Sequence, residues 1–149
     1  MVDRSYIRVT ALAVLPNEAG THHAVMAASD PASGERFHRP LGGGVELGER
    51  AVDAVVREIA EELGATLVEP RLLGVLENIF TYEGEPGHEI VFVFDARLVD
   101  HSLYARDLIT GEESNGQRFE ALWLPVHHFD TWRTDSVPAW ALRTVDGPA

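Results

Sequence analysis

The 149-residue chain has no cysteine, so neither a disulfide framework nor a thiolate zinc site is open to it. It has no lysine either: all 12 basic residues are arginine, set against 24 acidic residues, for a formal charge of −12. That balance argues against a long nucleic-acid partner, because gripping a phosphate chain relies on neutralisation by many cationic side chains. No stretch approaches the ~20 consecutive apolar residues of a membrane-spanning helix. The opening run MVDRSYIRVTALAVLP interleaves acid and base around a short apolar segment, which is not the pattern of a signal peptide. The expectation is a protein of the cytoplasm. Internal repeats and low-complexity tracts are lacking too.

What is present is ordinary for a globular protein. Apolar residues make up 45% and charged residues 24%, over a length that suits a single domain, residues 1–149, with a sizeable core. Residues 5–15 and 22–29 read as two strands joined by a hairpin loop, and residues 37–41 as an extended lead into a glycine loop. After a helix at residues 50–63, residues 72–82 and 90–98 read as an antiparallel strand pair, with a turn at residues 83–87 between them. In the first of these, Leu72, Leu76 and Phe80 are expected on one side and Leu73, Val75 and Ile79 on the other. The second, IVFVFDARL, is the most hydrophobic strand and is expected to be central. A polar loop at 110–117, a last strand at 119–124 and short helices at 127–132 and 138–145 complete the pattern. Mixed strands with two or three helices predict an α/β sandwich.

The most informative stretch is GGVELGERAVDAVVREIAEELGA, residues 43–65. Val52, Val55, Val56, Ile59, Ala60 and Leu63 recur at three- and four-residue steps, the apolar stripe of an amphipathic helix, and Gly64 supplies a left-handed stop. On the other face Glu58, Glu61 and Glu62 stand three and four residues apart and crowd their carboxylates together. Like charges at that spacing cost roughly 0.2–0.5 kcal/mol per pair. A hard divalent cation such as Mg2+ relieves the repulsion, since it takes oxygen ligands and is usually held by one or two carboxylates plus substrate phosphates. An acidic protein that handles a small polyphosphate needs such a mediator. Arg57 is placed to pair with one of these carboxylates. Gly42, Gly43 and Gly44 let the backbone approach a phosphate or metal closely, and Glu46 and Glu49 suit the positive end of the helix. A solvated helix would account for the acidic face, but not for the glycines, Glu49 and Arg57 at fixed offsets.

Gly43, five residues, Glu49, seven residues, then Arg57-Glu58-Ile59-Ala60-Glu61-Glu62-Leu63-Gly64 resembles the Nudix box almost letter for letter. The one departure is Ala65, at a packing position where the family usually carries a larger aliphatic residue. The resemblance implies an α/β/α sandwich, with a mixed sheet between helices and the box as a strand–loop–helix. It implies hydrolysis of a nucleoside diphosphate linked to another moiety X, dependent on Mg2+ with Mn2+ as the alternative. It makes Glu61 and Glu62 metal ligands, Glu58 a ligand or the general base, and the Gly42 carbonyl a further ligand. Glu49 and Arg57 become the pair that orients the acidic face, with Gly43 and Gly64 as structural positions. Family members also bring a carboxylate from a later loop, for which Glu112, Glu113 and Glu120 are candidates. Glu120 is preferred because it lies on or beside the strand leading to Trp123. The catalytic set expected is then Arg57, Glu58, Glu61 and Glu120. Many relatives are homodimers, so a homodimer is an expectation of the resemblance alone. A non-catalytic, nucleotide-binding member would be marked by loss of a box glutamate, and all are present.

On the substrate side, Asn78, Phe80 and Tyr82 alternate onto one face of a strand, where they would hydrogen-bond to and stack on a base; a half-buried strand with a solvated edge gives the same pattern. Arg39, just ahead of the glycines, would clamp a phosphate or simply face solvent. Tyr82 lies seventeen residues past Ala65, where a tyrosine in some relatives marks dinucleoside polyphosphate hydrolases, and Thr81 stands near where a proline marks ADP-ribose hydrolases. Nucleoside triphosphates, dinucleoside polyphosphates, ADP-ribose and nucleotide sugars all remain open as substrates. The pairs His22-His23 and His127-His128 have no third ligand at metal spacing, and surface or capping roles are expected for them.

Overall fold

The computed structural model describes residues 6–34, 36–112, 116 and 118–125. Strands β1 (Arg8–Pro16), β2 (His22–Ser29), β3 (Arg36–Arg39) and β4 (Leu41–Gly44) precede the helix α1 (Ala51–Leu63). Strands β5 (Leu67–Tyr82) and β6 (Glu85–Leu98), a 3-10 turn at His101–Ala105, and strands β7 (Leu108–Glu112) and β8 (Arg118–Pro125) follow it. They form one sheet in the order β5-β6-β1-β2-β8-β7, with β3 added to β2 and β4 added to β1. The β1–β6 pairing is parallel and the others are antiparallel, so the sheet is mixed as expected.

The pivot is β1 rather than the more hydrophobic β6. It pairs with β6 along one edge and with β4 and then β2 along the other. Both of its faces are therefore covered, and every residue from Thr10 to Pro16 is buried. Ala11, Ala13 and Leu15 face a core shared with Ala54, Val55 and Ile59 of α1. Leu12 and Val14 face a second core, with Val25, Leu76, Val91 and Val93, on the opposite side of the sheet. Strand alternation sets this division. It assigns each site residue to the α1 side or the far side. The helices expected at 127–132 and 138–145 lie outside the described residues, as does Glu113.

Several boundaries differ from the sequence expectation for physical reasons. The glycine loop is a strand: Gly42, Gly43 and Gly44 pair with Leu12, Ala11 and Thr10. Gly42 has φ 145°, and a Cβ there would collide with the Ala11 carbonyl oxygen, so only glycine lets β4 lie this close to β1. The turn between β5 and β6 is the two-residue Glu83-Gly84, both with positive φ, and this releases Glu85, Pro86 and Gly87 into the ladder. β5 starts five residues early because an irregularity between Val68 and Arg71 absorbs Pro70. A second irregularity between Leu72 and Gly74 reverses the alternation, leaving Leu72 exposed while Leu73 packs with Leu76. Part of the expected polar loop, Thr110 to Glu112, pairs with β8 as the end of β7. His23 is not a surface residue: it is fully buried on β2, while His22 shares a 2.8 Å hydrogen bond with the Thr21 hydroxyl.

Candidate active site

The helix that carries the acidic residues ends as its sequence requires, with Gly64 left-handed (φ 63°) and donating its N–H to the Ala60 carbonyl at 2.9 Å. Its buried stripe is Ala54, Val55, Ile59 and Glu62. Glu62 thus belongs to the inward face and is 8% exposed, a correction to the idea of a uniformly outward acidic face. Glu58 lies at the margin of that face, with its side chain 16% exposed, and Glu61 stands furthest out at 47%. One helical turn therefore grades three carboxylates from the interior to solvent.

Arg57 organises the rest. Its Nε and Nη2 donate to the two oxygens of Glu49 at 2.8 and 2.9 Å, a bidentate fork. Nη2 also donates to the Gly44 carbonyl at 3.0 Å, tying the helix to β4. Nη1 donates to Glu58 at 2.9 Å and to Glu61 at 3.3 Å, and Glu46 lies 4.0 Å away. Hydrogen bonds from Arg57, joined by the Glu46 backbone N–H, pull the Glu49 carboxyl down to about 2, and the hydrogen bonds to Glu49 and then Glu58 raise the Arg57 pKa further above its ordinary value. Four carboxylates share one guanidinium, so the cluster keeps an excess of negative charge. Glu58 is also pressed against β4: a Cβ on Gly43 would stand 2.5 Å from its carboxyl carbon. The glycine is required because the carboxylate occupies the space of a side chain.

The donors are all oxygen and suit a hard divalent cation, and the Gly43 cradle holds one of them fixed. Among the described residues, however, no three His, Asp or Glu side chains are gathered in the arrangement of a metal site. Glu58 and Glu61 turn to Arg57 instead.

The remaining predicted residues divide between the two sides of the sheet. Arg39 pairs with Met26, whose side chain belongs to the α1-side core, so Arg39 lies on that side. Its Nε is buried with no hydrogen bond among the described residues. Asn78, Phe80 and Tyr82 share one face as expected, but it is the face of Leu76, away from α1, and Asn78 is buried there. Glu120 is exposed and alternates with Ala121, which belongs to the α1-side core, so it points to the far side and does not join Glu58, Glu61 and Glu62. Glu112, also exposed, shares the facing of Glu120 through the β7–β8 register. Sequence reasoning missed the Gly44 carbonyl as an Arg57 acceptor, and it missed Asp30. The Asp30 carboxylate accepts from the backbone N–H of Ala32 and of Glu83, binding the β2–β3 loop to the β5–β6 turn. No spacing rule joins residues 30 and 83; only the fold does.

An acidic helix locked by one arginine against a glycine strand, set on a mixed sheet, defines a small α/β domain of the strand–loop–helix kind. The chain belongs to the NUDIX family and is a Nudix hydrolase: the model of the NUDIX domain matches residues 7–142. Among solved structures it resembles the MutT protein of Methanosarcina mazei Go1, with 21% identity over 98% of this chain and 96% of that one at a TM-score of 0.63. It also resembles the MutT NUDIX hydrolase of Burkholderia pseudomallei, with 24% identity over 93% and 98% of the chains at a TM-score of 0.62. A UDP-X diphosphatase shares 18% identity over 97% of this chain and 64% of its own, at a TM-score of 0.58. No curated protein matches the sequence. Among the described residues no helix is long and apolar enough to cross a membrane.

Proposed function

We propose that residues 1–149 act as a single-domain, Mg2+-dependent pyrophosphohydrolase of the cytoplasm, which cleaves a nucleoside diphosphate linked to another moiety X. The observation that carries this reading is the Glu58 carboxylate, seated on Gly43 and fixed by an arginine that Glu49 holds from the other side. A carboxylate so oriented is prepared for charge transfer at a defined point, which a solvated helix face is not. Glu58, Glu61 and Glu62, with the Gly42 carbonyl, are the groups assigned to hold Mg2+ or Mn2+. The ion when bound would lower the pKa of water and neutralise phosphate charge.

The chain's own residues do the rest. Glu58 accepts the proton of the attacking water, whose oxygen bonds to phosphorus as the bridging P–O bond breaks. The products are a nucleoside monophosphate and phosphorylated X. Glu120, facing the far side of the sheet, is the weaker candidate for the base. Arg39, with a buried Nε on the α1 side, is assigned to a substrate phosphate. Asn78, Phe80 and Tyr82 are assigned to the nucleoside end. The name of the UDP-X diphosphatase accords with a nucleoside diphosphate joined to a variable group.

The test is a panel of nucleoside triphosphates, dinucleoside polyphosphates, ADP-ribose and nucleotide sugars, assayed for monophosphate release with Mg2+ and with EDTA. Turnover of at least one compound, abolished by chelator and cut by at least ~100-fold in Glu58→Gln, is expected. Hydrolysis that persists in EDTA would remove the metal role.

A further inference from the structure

Two hairpins run past the strands that flank them, and one carboxylate joins their ends. β6 pairs with β1 only from Glu89 onward. Ahead of that point residues 85–88 face residues 79–82 as a ribbon of two strands, with no third strand beside it among the described residues. β2 likewise leaves β1 after Ala24 and β8 after Met26, so residues 27–29 and 36–38 form a second two-stranded ribbon. A ribbon of two strands is only marginally stable by itself in water, so its direction depends on what else it touches.

Asp30 stands just past β2, at the tip of the second ribbon, and its Oδ1 accepts twice. The Ala32 N–H reaches it at 2.9 Å and shapes the β2–β3 loop, where the Gly34 N–H also donates to the Asp30 carbonyl at 2.7 Å. The Glu83 N–H reaches the same Oδ1 at 3.1 Å from the tip of the first ribbon, 53 positions away. Residues 31–34 and 83–86 around it are all exposed, whereas Asp30 is 7% exposed. Burial opposes ionisation, but hydrogen bonds from Ala32, Glu83 and Ser33 outweigh it and hold the Asp30 carboxyl below the ordinary aspartate range. Glu83 has φ 54°, a left-handed conformation that a non-glycine residue keeps only when its surroundings fix it. The bond to Asp30 supplies that constraint, and strain of this kind clusters at ligand clamps.

The two ribbons carry residues assigned to different parts of the substrate. Arg39, at the base of one, is assigned to a phosphate, and Phe80 and Tyr82, within the other, to the nucleoside end. With the tips tied, the two sets keep one separation. With the tie cut, each ribbon is free to swing alone.

We propose that Asp30 is a positioning residue, which straps the β2–β3 and β5–β6 hairpins together so that the substrate meets Arg39, Phe80 and Tyr82 at a fixed spacing. This rests on the reading of those three residues as substrate contacts. The strap does not touch the reacting atoms, so it acts on binding rather than on the chemical step.

Two substitutions separate the strap from the local loop. Asp30→Ser keeps an oxygen for the Ala32 N–H but is one bond too short to reach Glu83. Asp30→Asn keeps a carbonyl oxygen in the place of Oδ1 and accepts from both. Kinetics are measured on the compound of the panel above that the wild type turns over fastest, with thermal melts to confirm folding and amide exchange followed by NMR.

Asp30→Ser is expected to raise KM tenfold or more with kcat within twofold of the wild type, and Asp30→Asn to stay within twofold in both. The Glu83 amide should exchange at least tenfold more slowly in the wild type than in Asp30→Ser, while the α1 amides exchange alike. An unchanged KM in Asp30→Ser, a fall in kcat as large as the rise in KM, or a KM in Asp30→Asn as high as in Asp30→Ser would overturn the proposal and leave the reaction assignment standing. Should Asp30→Ser not fold, the wild type alone decides: a Glu83 amide exchanging at the open-chain rate overturns the strap, and protection of tenfold or more supports it. A wild type that hydrolyses no compound of the panel would overturn both the reaction assignment and the proposal built on it.

Discussion

The Arg57 cluster and the Thr10 hydroxyl, on opposite sides of β1, contrast in how their polar groups are satisfied. On the α1 side every donor of the Arg57 fork has a carboxylate or carbonyl partner, although much of the cluster reaches solvent. On the far side the Thr10 hydroxyl is buried and has none among the described residues. The first arrangement is closed upon itself, and its rigidity is what a reaction centre needs. The second is a local cost to the fold, since a buried hydroxyl without a partner forfeits its hydration.

The contrast is broken most severely by removing the carboxylate that touches β4. Glu58→Gln should lower turnover by two orders of magnitude or more while the thermal melt stays near that of the wild type, and parallel assays of rate and Tm check this. Gly43→Ala pushes the same carboxylate away from the other side. A loss of turnover of about tenfold or more is expected, with a stability cost on the order of 1–2 kcal/mol read from urea denaturation. Gly42→Ala should do the reverse and act chiefly on stability. Its φ of 145° and the collision with Ala11 predict a loss of about 3 kcal/mol. If Gly43→Ala proved the more damaging of the two to the fold, the separation of a structural glycine from a site glycine would fail.

Acid sharpens the comparison further. Burial lowers the pKa of His23 from 6.5 to about 4, with Asp95 opposing the shift and Arg97 and His22 adding to it. The unfolded chain therefore takes up the proton first, and stability falls as pH drops through 6.5 towards 4, by about 2 kcal/mol between pH 7 and pH 5. Denaturation at those two pH values, with His23→Gln as the flatter reference, measures it. Glu49 titrates much lower. Its stabilising pair with Arg57 is intact above the ordinary carboxylate range and is lost only as pH falls towards 2, so the α1-side cluster should outlast His23 on acidification. The smallest effect is expected at the sheet edge, where Arg71→Ala removes an exposed partner of Asp95 and should change stability by less than about 0.5 kcal/mol.

The α1-side centre was legible because its parts lie within 22 residues of one another, and helical spacing places them in register. Even there, Glu62 was assigned to the wrong surroundings, since a helix pattern shows relative phase but not how deeply each residue sinks against the sheet. The strands were legible in type and less so at their ends. The irregularities around Pro70 and Leu73 depend on pairing with β6, which no local window contains. Glu120 shows the same limit: it lies on the expected strand, and a phase difference of one residue turns it to the far side.

By itself the sequence determined the acidic helix, its arginine, its glycine stop and the family they define, because each depends on contacts a few residues apart along a regular helix. Only the tertiary structure decided that β1 would be the pivot, that the glycines would pair as a strand, and that Asp30 would meet the Glu83 amide. Those outcomes depend on strand order and register, which join residues up to about a hundred positions apart. The free energy that selects them resides in long-range pairing and burial rather than in any local preference of the chain.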